Sequence, residues 1–265
     1  MSLSFALDSV NLQKLESLCN IHVQNIITQY VNLCKPSKVT IITDSDEDSG
    51  YVRQLALINK EETPLTTNGH RVHFDGPLDQ GRDKENTKIL ISKDQHLGKM
   101  IHTGERESHV EEILKKLDGI MRGKEMLVRF FCLGPTQSKF SICAMQITDS
   151  AYLAHSEELL YRKGYDEFKR LSGSNNFFHF IHSAGELENG IVKNIDQRRI
   201  YIDLKENRAF SINCQYAGNV LGLKKLALRL AIQKAQNEGW LCEHMFLMGV
   251  KQKNRTSYFT GAFPS

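Results

Sequence analysis

Segments with helical spacing alternate with short apolar segments along most of this chain, and that alternation is typical of an α/β fold. Apolar side chains recur at three- and four-residue intervals over 11–33 and 222–238, which predicts helices, and a further helix is predicted at 157–171. Another helix is predicted to open at the S-x-x-E capping box of Ser108 and Glu111 and to carry apolar residues as far as Met121. Apolar runs predict strands at 39–43, 88–92, 126–132, 141–147, 177–182, 199–203 and 209–213, and buried strands at 245–250 and 258–263.

The polar segments between these elements are interpreted as turns and loops. Residues 44–50 are acidic and resemble a calcium-binding loop, but the EF-hand pattern needs Gly at its sixth position and Glu at its twelfth. Those positions hold Ser49 and Leu55, so an exposed acidic turn is the better interpretation. Residues 62–86 are rich in turn formers and predict a loop, which contains Arg82. Gly239 is predicted to cap the helix at 222–238.

Composition argues against two classes of partner. The 34 Lys and Arg residues against 31 Asp and Glu give a net charge of +3 without a basic cluster, so nucleic-acid binding is not expected. No apolar run reaches the roughly 18 residues of a membrane-spanning helix, and the N-terminus lacks the pattern of a signal peptide. The six cysteines form no C-x-x-C pair and most lie in apolar runs, which favours buried free thiols and a cytoplasmic protein.

The segment 215–244 carries the densest chemical signal. It consists of a strand, the small-residue turn after Tyr216, a helix with Lys224 and Lys225 in its first turn, and His244 at the start of a strand. The N-terminus of a helix attracts anions, and cations placed there oppose the helix dipole. From this pattern alone, solvated surface lysines are a simpler interpretation than an anion or metal site.

Several runs occur in the same order as in one enzyme family. The longest are Y-A-G-N-V-L-G-L-K-K-L-A-L-R at 216–229, E-G-W-L-C-E-H-M-F-L-M-G-V at 238–250 and A-F-P-S at 262–265. Shorter runs are M-R-G-K at 121–124, L-G-P at 133–135, I-T-D-S-A-Y at 147–152 and H-S-A-G at 182–185. The sequence therefore resembles the GTP-type phosphoenolpyruvate carboxykinases from about residue 30 onward, most specifically after residue 216.

The resemblance implies a fold and a reaction. The expected fold is the α/β, mixed-sheet N-terminal lobe of the family, a substrate-binding domain over 1–240, followed by the first strands of the nucleotide-binding domain over 241–265. The implied reaction converts oxaloacetate into phosphoenolpyruvate and CO₂, with GTP as the phosphoryl donor, and serves gluconeogenesis. Mn²⁺ is the implied catalytic ion, and Mg²⁺ accompanies the nucleotide.

The resemblance also implies roles for single residues. Lys225 and His244 match the family's protein ligands to Mn²⁺, and Lys225 and Ser265 match catalytic positions. Arg82 matches an arginine that clamps a substrate carboxylate, for which a planar guanidinium is suited because it donates two parallel hydrogen bonds. The other implied substrate-binding residues are Tyr216, Gly218, Asn219, Lys224 and Ser265.

Two departures from the family pattern leave alternatives open. The spacing from Lys225 to His244 is one residue shorter than expected, so counting back from His244 would make Lys224 the metal ligand. Ala217 stands where many members have a second glycine, which narrows the freedom of the backbone in the turn.

The end of the chain suggests a protein cut before its next element. The family continues from Phe-Pro-Ser into Ala-Cys-Gly-Lys-Thr, a loop that holds phosphates, and its third metal ligand is an aspartate beyond that loop. We therefore expect the isolated chain to be inactive. The alternatives are a carboxykinase of the same family that uses pyrophosphate, and a fragment that binds a dicarboxylate without catalysis.

Overall fold

The computed structural model describes residues 7–79, 83–215, 222–242 and 245–262, without the side chains of 222–227 and 262. Its strands are β1 (Lys38–Ile41), β2 (Thr63–Pro64), β3 (Arg71–Val72), β4 (Thr87–Ile91), β5 (Thr103–Glu105), β6 (Glu125–Leu133), β7 (Ile142–Thr148), β8 (Arg162–Lys163), β9 (Phe177–Ser183), β10 (Leu187–Glu188), β11 (Ile191–Val192), β12 (Arg199–Asp203), β13 (Arg208–Ile212), β14 (Met245–Gln252) and β15 (Arg255–Ala262). Its α-helices are α1 (Ser9–Glu16), α2 (Ile21–Cys34), α3 (Asp46–Ile58), α4 (Arg106–Leu117), α5 (Ala151–Leu160), α6 (Tyr165–Arg170) and α7 (Gly222–Asn237).

Nine of these strands form one mixed sheet, which confirms the α/β, mixed-sheet prediction. Their order is β1-β6-β7-β9-β13-β12-β4-β5, and β8 pairs beside β6. Parallel pairs join β1 to β6, β7 to β9, β9 to β13, β12 to β4 and β4 to β5, while β6 with β7 and β12 with β13 are antiparallel. The central strands β6, β7 and β9 are buried almost throughout, which is why most of their residues are apolar.

Helices cover both faces of this sheet, because successive side chains of a strand point to opposite sides. Val128 and Phe130 of β6 share a core cluster with side chains of α1, α2, α4 and α6. Leu127 of the same strand packs with α3 and α5. Phe131 packs with Leu230 of α7. The molecule therefore has a helix–sheet–helix layering, with α7 on the same face as α3 and α5.

The prediction of one helix over 11–33 is wrong, because two helices occupy this segment. Cys19 has a left-handed backbone, with φ of 49°, and interrupts the helical path. The buried side chain of Asn20 then caps α2, accepting hydrogen bonds from the backbone N–H groups of His22 and Val23 at 3.0 and 3.2 Å. A short polar side chain at this position satisfies donors that a new helix leaves unpaired.

Three other predictions are also wrong, because side-chain caps begin the helices at residues other than those predicted. The helix predicted at 157–171 is wrong: α5 begins at Ala151, capped by Ser150, and the chain then forms β8 and α6. The capping box predicted at Ser108 and Glu111 is wrong, because Glu105 accepts from the Ser108 backbone N–H at 2.8 Å and starts α4 earlier. The acidic segment 44–50 is mainly the first turn of α3, where negative charge suits the helix dipole, and not an exposed turn.

The two final strands form a hairpin whose side chains are largely exposed. β14 pairs with β15 in antiparallel register from Met245–Ala262 to Gln252–Arg255. Leu247 and Tyr258 are 70% and 71% exposed, so the prediction of buried strands here is wrong. Within the described residues, β14 and β15 pair only with each other.

Candidate functional site

The ends of several strands meet at one edge of the nine-stranded sheet. β13 runs antiparallel to β12, and β12 runs parallel to β4. The chain that leaves β13, residues 213–215, therefore emerges where the chain enters β12 and β4, at 198 and at 83–86. In the sequence Arg82 precedes Asp83 and Tyr216 follows Gln215, so the described neighbours of these two implied substrate-binding residues lie at this edge.

Asp79 joins those two segments through buried hydrogen bonds. Its side chain is 1% exposed. Oδ2 accepts from the backbone N–H of Gln215 at 2.5 Å, and Oδ1 accepts from the Cys214 thiol at 3.1 Å. The Arg198 guanidinium donates from Nη1 to Oδ1 at 2.5 Å. The loop before Arg82 is thus attached to the chain that leads into Tyr216.

Asp83, on the other side of Arg82, is held by the same guanidinium. Arg198 donates from Nε to Asp83 Oδ2 at 2.6 Å, and the Asn86 backbone N–H donates to Asp83 Oδ1 at 3.0 Å. Burial acts to raise the pKa of the Asp83 carboxyl, but the hydrogen bonds from Asn86 and Arg198 outweigh it and hold the pKa below its ordinary value. Asp83 is therefore a carboxylate at neutral pH.

His182 fixes the chain leaving β13 from its other side. Its Nδ1 lies 2.7 Å from Thr148 Oγ1, and its Nε2 lies 2.8 Å from the carbonyl oxygen of Cys214. The carbonyl requires a donor, so Nε2 carries the proton and Nδ1 accepts from the hydroxyl. Burial lowers the pKa of His182, which keeps this ring neutral. His182 is therefore a hydrogen-bonded core histidine.

Three of the short family runs converge beside this edge. Lys124 of the first run donates to Asp149 Oδ2 of the second at 2.7 Å. Asp149 also accepts from the Ser183 hydroxyl at 2.6 Å and the Ala184 backbone N–H at 2.8 Å, both in the third run. The Asp149 side chain is fully buried. The runs therefore act together as a buried ion-pair network that ties β6, β7 and β9 at the edge.

Gly185 in the third run is required by space as well as by conformation. Its φ is 73°, in the left-handed region, and a Cβ there would lie 2.0 Å from the side-chain oxygen of Asn213. Asn213 is the first residue after β13, so the close approach lets the third run lie against the chain that leads to the predicted site.

Helix α7 spans Gly222–Asn237, as predicted, with Lys224 and Lys225 in its first turn. Leu230 is 1% exposed and packs on the sheet. The helix ends in a Schellman motif: Gly239 has φ of 73°, and the Trp240 backbone N–H donates to the carbonyl of Ala235 at 2.6 Å. This confirms Gly239 as the C-terminal cap.

The side chains of the predicted site residues are not among those described. For Lys224 and Lys225 the structure gives the backbone of α7 only. The other implied residues lie outside the described parts of the chain, and they are Arg82, Tyr216, Gly218, Asn219, His244 and Ser265. Over 7–79, 83–215, 222–242 and 245–262, no group of three or more His, Cys, Asp and Glu side chains could hold a metal ion.

Comparison with known proteins decides the family. The family model described as the phosphoenolpyruvate carboxykinase N-terminal domain matches residues 25–236. The chain belongs to the phosphoenolpyruvate carboxykinase family. Its matched segment contains the sheet edge described above and ends within α7.

Curated relatives of this family align with nearly the whole chain. A protein of Pyrococcus furiosus named phosphoenolpyruvate carboxykinase (GTP) is 52% identical over 98% of this chain and 42% of its own length. Proteins with the same name from Sulfurisphaera tokodaii and Anaeromyxobacter dehalogenans are 47% and 30% identical, over 96% and 93% of this chain and 40% and 41% of their own lengths. The chain thus spans about two fifths of the length of these relatives.

Sequence reasoning missed the residues that organise the edge. Asp79 and Arg198 are 119 positions apart, and Asp83 and Arg198 are 115 apart, so no local spacing links them. Asp79 and Arg198 also lie outside the family runs, so the resemblance gave no signal for them. In the parts of the chain that the structure describes, none of the helices has the length and apolar character needed to cross a membrane.

Proposed function

We propose that this chain is the substrate-binding part of a GTP-dependent phosphoenolpyruvate carboxykinase, which converts oxaloacetate into phosphoenolpyruvate and CO₂. The observation that carries the proposal is the Asp79 junction, because it joins the chain beside Arg82 to the chain beside Tyr216. The family resemblance assigns a substrate carboxylate to both segments. Relatives named for GTP, 46% to 53% identical, support GTP over pyrophosphate as the donor.

In this proposal the edge of the sheet presents cations and N–H donors to a dicarboxylate. Arg82 holds one carboxylate with two parallel hydrogen bonds. By the family resemblance, the backbone of Gly218 and the amide of Asn219 also bind the carboxylate, and Tyr216 presents the positive edge of its ring to it. Lys224 adds a positive charge at the start of α7, where the helix dipole also favours an anion.

These contacts serve a reaction in two steps. Decarboxylation breaks the bond between the departing carboxyl carbon and its neighbour, and the electron pair remains as an enolate. The enolate oxygen then attacks the γ-phosphorus of GTP, and the bond from that phosphorus to the leaving GDP oxygen breaks. Arg82 and Asn219 keep the remaining carboxylate in place throughout, and the family resemblance assigns Ser265 to the neighbourhood of the substrate carbonyl. Holding the reactants in this orientation lowers the entropic part of the barrier.

Lys225 and His244 are the proposed ligands of Mn²⁺, which would supply positive charge for the developing enolate oxygen. Trp240 is hydrogen-bonded to the carbonyl of Ala235, and Lys225 lies ten residues, about 15 Å, along the helix from Ala235. The four residues from Trp240 to His244 span at most ~14 Å when extended. The extended chain is therefore nearly long enough to return along the helix, and the side chains of Lys225 and His244 can bridge the remaining distance. A shared ion is compatible with these lengths. Lys224 at the same helix end is the alternative ligand.

The domain boundary is part of the same proposal. We assign residues 1–240 to the substrate-binding domain and 241–265 to the start of the nucleotide-binding domain. The pairing of β14 only with β15 among the described strands, and the end of the family match at residue 236, support this division. A cytoplasmic location, a role in gluconeogenesis and Mg²⁺ bound with GTP complete the proposal.

Calorimetry with oxalate, a small dicarboxylate, tests the proposed substrate site in this chain. In the presence of Mn²⁺, wild type should bind oxalate, and Arg82→Met should weaken binding by roughly 1.5 to 3 kcal/mol, as for a lost hydrogen bond to a charged group. Lys84→Met, which removes an exposed positive charge from the same loop, is the matched control. Equal affinities in Arg82→Met and Lys84→Met would contradict the assignment.

A turnover assay tests whether this chain can catalyse the reaction by itself. The phosphate-binding loop and the third metal ligand of the family are assigned to a segment beyond residue 265. We therefore expect the 265-residue chain to release no CO₂ from oxaloacetate in the presence of GTP and Mn²⁺. GTP-dependent turnover by this chain would contradict that assignment, whereas oxalate binding without turnover is the expected result.

A further inference from the structure

We propose that Asp79, Asp83 and Arg198 are positioning residues that hold the Arg82 loop against the segment beginning at Tyr216. The inference rests on the proposed function, which assigns both segments to one dicarboxylate. It goes beyond that function because these three side chains are given no contact with substrate, nucleotide or metal. Their role is to set the distance between two groups that bind the same molecule.

Covalent geometry limits how far those groups can move from the junction. Consecutive Cα atoms are about 3.8 Å apart. The Cα atom of Arg82 therefore lies about 3.8 Å from that of Asp83, and the Cα atom of Tyr216 lies the same distance from that of Gln215. Arg198 contacts Asp83 directly and reaches Gln215 through Asp79. One guanidinium thus sets the separation of the two segments.

The charges explain why the junction needs an arginine. The carboxylates of Asp79 and Asp83 both contact the Arg198 guanidinium, and their side chains are 1% and 8% exposed. The guanidinium offers donors in fixed directions, Nε to one carboxylate and Nη1 to the other. A lysine at position 198 would keep the charge but lose this two-sided geometry. Without Arg198, both carboxylates would lose this cation, and the attachment of the loop to Gln215 would weaken.

Arg199, the next residue and the first of β12, supplies a matched control. It is also an arginine paired with a carboxylate, since its Nε donates to Glu112 Oε1 at 2.8 Å. Glu112 belongs to α4, away from the Arg82 loop. Changing Arg199 removes the same type of side chain, with its bonds to Glu112 and to the backbone carbonyl of Arg198, but it removes none of the side-chain hydrogen bonds of the junction.

Hydrogen–deuterium exchange tests the junction without any ligand. We expect Arg198→Met to speed exchange in peptides covering both 79–86 and 213–221 by roughly tenfold or more, since the free energy that holds a segment closed sets its exchange rate. Arg198→Lys should increase the exchange rate of both peptides by a smaller factor. Asp83→Asn should affect 79–86 more than 213–221, because it is Asp79, and not Asp83, that accepts the hydrogen bond from the Gln215 backbone N–H. Arg199→Met should match wild type.

Oxalate binding in the presence of Mn²⁺ tests the consequence for the site. Arg198→Met and Arg198→Lys should weaken binding by roughly tenfold, as expected when a binding group is displaced by about an ångström, while Arg199→Met should not. Wild-type affinity in both Arg198 variants would overturn the positioning role and leave the proposed function standing.

Failure of the proposed function gives a different result. If wild type binds no oxalate, the substrate assignment for this chain fails, and exchange alone decides whether the junction couples the two segments. Faster exchange in both peptides of the Arg198 variants would then support the junction. Unchanged exchange, or a change in one peptide only for Arg198→Met, would overturn it.

Discussion

His179 should make the folded protein sensitive to mild acid. It lies in β9 with 8% of its surface exposed, and its ring centroid is 6.4 Å from that of Tyr30 in α2. Burial, reinforced by the positive charge of Arg208, lowers the pKa of His179 from 6.5 to about 3. The imidazole therefore stays neutral in the folded chain at pH values where an unfolded chain takes up a proton.

The sign and size of the effect follow from that difference. Below pH 6.5 the His179 ring binds a proton in the unfolded state, whereas in the folded state it stays neutral until about pH 3. The free energy of unfolding therefore falls as the pH falls. One pKa unit corresponds to about 1.36 kcal/mol, so His179 should remove roughly 2 to 3 kcal/mol between pH 6.5 and 4.5. Burial lowers the pKa of His182 as well, and this adds to the loss.

Urea unfolding followed by circular dichroism at several pH values measures this loss. The variant His179→Phe keeps an aromatic ring in the core and cannot take up a proton, so its stability should fall less between pH 6.5 and 4.5. His22→Gln, at an exposed position of α2, is the control and should keep the wild-type dependence. The readout is the slope of the free energy of unfolding against pH, so a change in stability that is equal at every pH does not affect the test. Parallel loss in wild type and His179→Phe would refute the reasoning.

Two further pairs of variants test the edge network and the helices, by urea unfolding at pH 7. Lys124→Met should destabilise by about 3 to 5 kcal/mol, because it strips the buried Asp149 of its cation, whereas Lys115→Met, which breaks an exposed pair, should cost less than about 1 kcal/mol. Comparable losses in both would contradict the buried network. Gly50→Ala should stabilise α3 by roughly 0.5 to 1 kcal/mol, because its Cβ meets open space, but Gly239→Ala should destabilise by about 1 to 2 kcal/mol at its positive φ. Stability changes of the same sign in Gly50→Ala and Gly239→Ala would contradict the assigned backbone conformations.

Buried strands were the most predictable part of the fold. β12 was predicted with its exact limits, and β6 and β9 nearly so, because strands covered on both faces are rich in apolar residues. Helix α7 was predictable for a related reason, since its apolar spacing is regular and Gly239 ends it. In each case the signal lies within one segment of the chain.

Helix starts and strand exposure were less predictable because they depend on contacts outside the segment. Asn20 divides what looks like one amphipathic helix, and its effect depends on a single side-chain cap. The carboxylate of Glu61 accepts from the backbone N–H groups of Ala151 and Tyr152 at 3.1 and 3.0 Å, so α5 is capped from a distant loop. Leu247 and its neighbours are apolar yet exposed, and composition alone cannot distinguish such a hairpin from a buried one.

The candidate site was reached through resemblance, while its scaffold came from the structure. Periodicity alone favoured surface lysines at 224 and 225, and only the ordered family runs assigned them to a metal site. The junction of Asp79 with Arg198 could not be predicted from spacing, because its partners come from a loop and a strand far apart in sequence. Roles for Lys225 and His244 remain predictions.

Electron paramagnetic resonance of Mn²⁺, titrated with the 265-residue chain and oxalate, tests the metal assignment most directly. The signal of free Mn²⁺ should fall with wild type, and Lys225→Met and His244→Gln should each weaken binding by at least about tenfold. Lys234→Met removes a lysine that pairs with Glu238 near the other end of α7, and should bind as wild type does. Affinity should rise with pH, because the lysine binds only as a neutral amine. If Lys224→Met loses Mn²⁺ affinity and Lys225→Met does not, the ligand is Lys224. Unchanged Mn²⁺ affinity in the His244 variant and in both lysine variants would contradict the site.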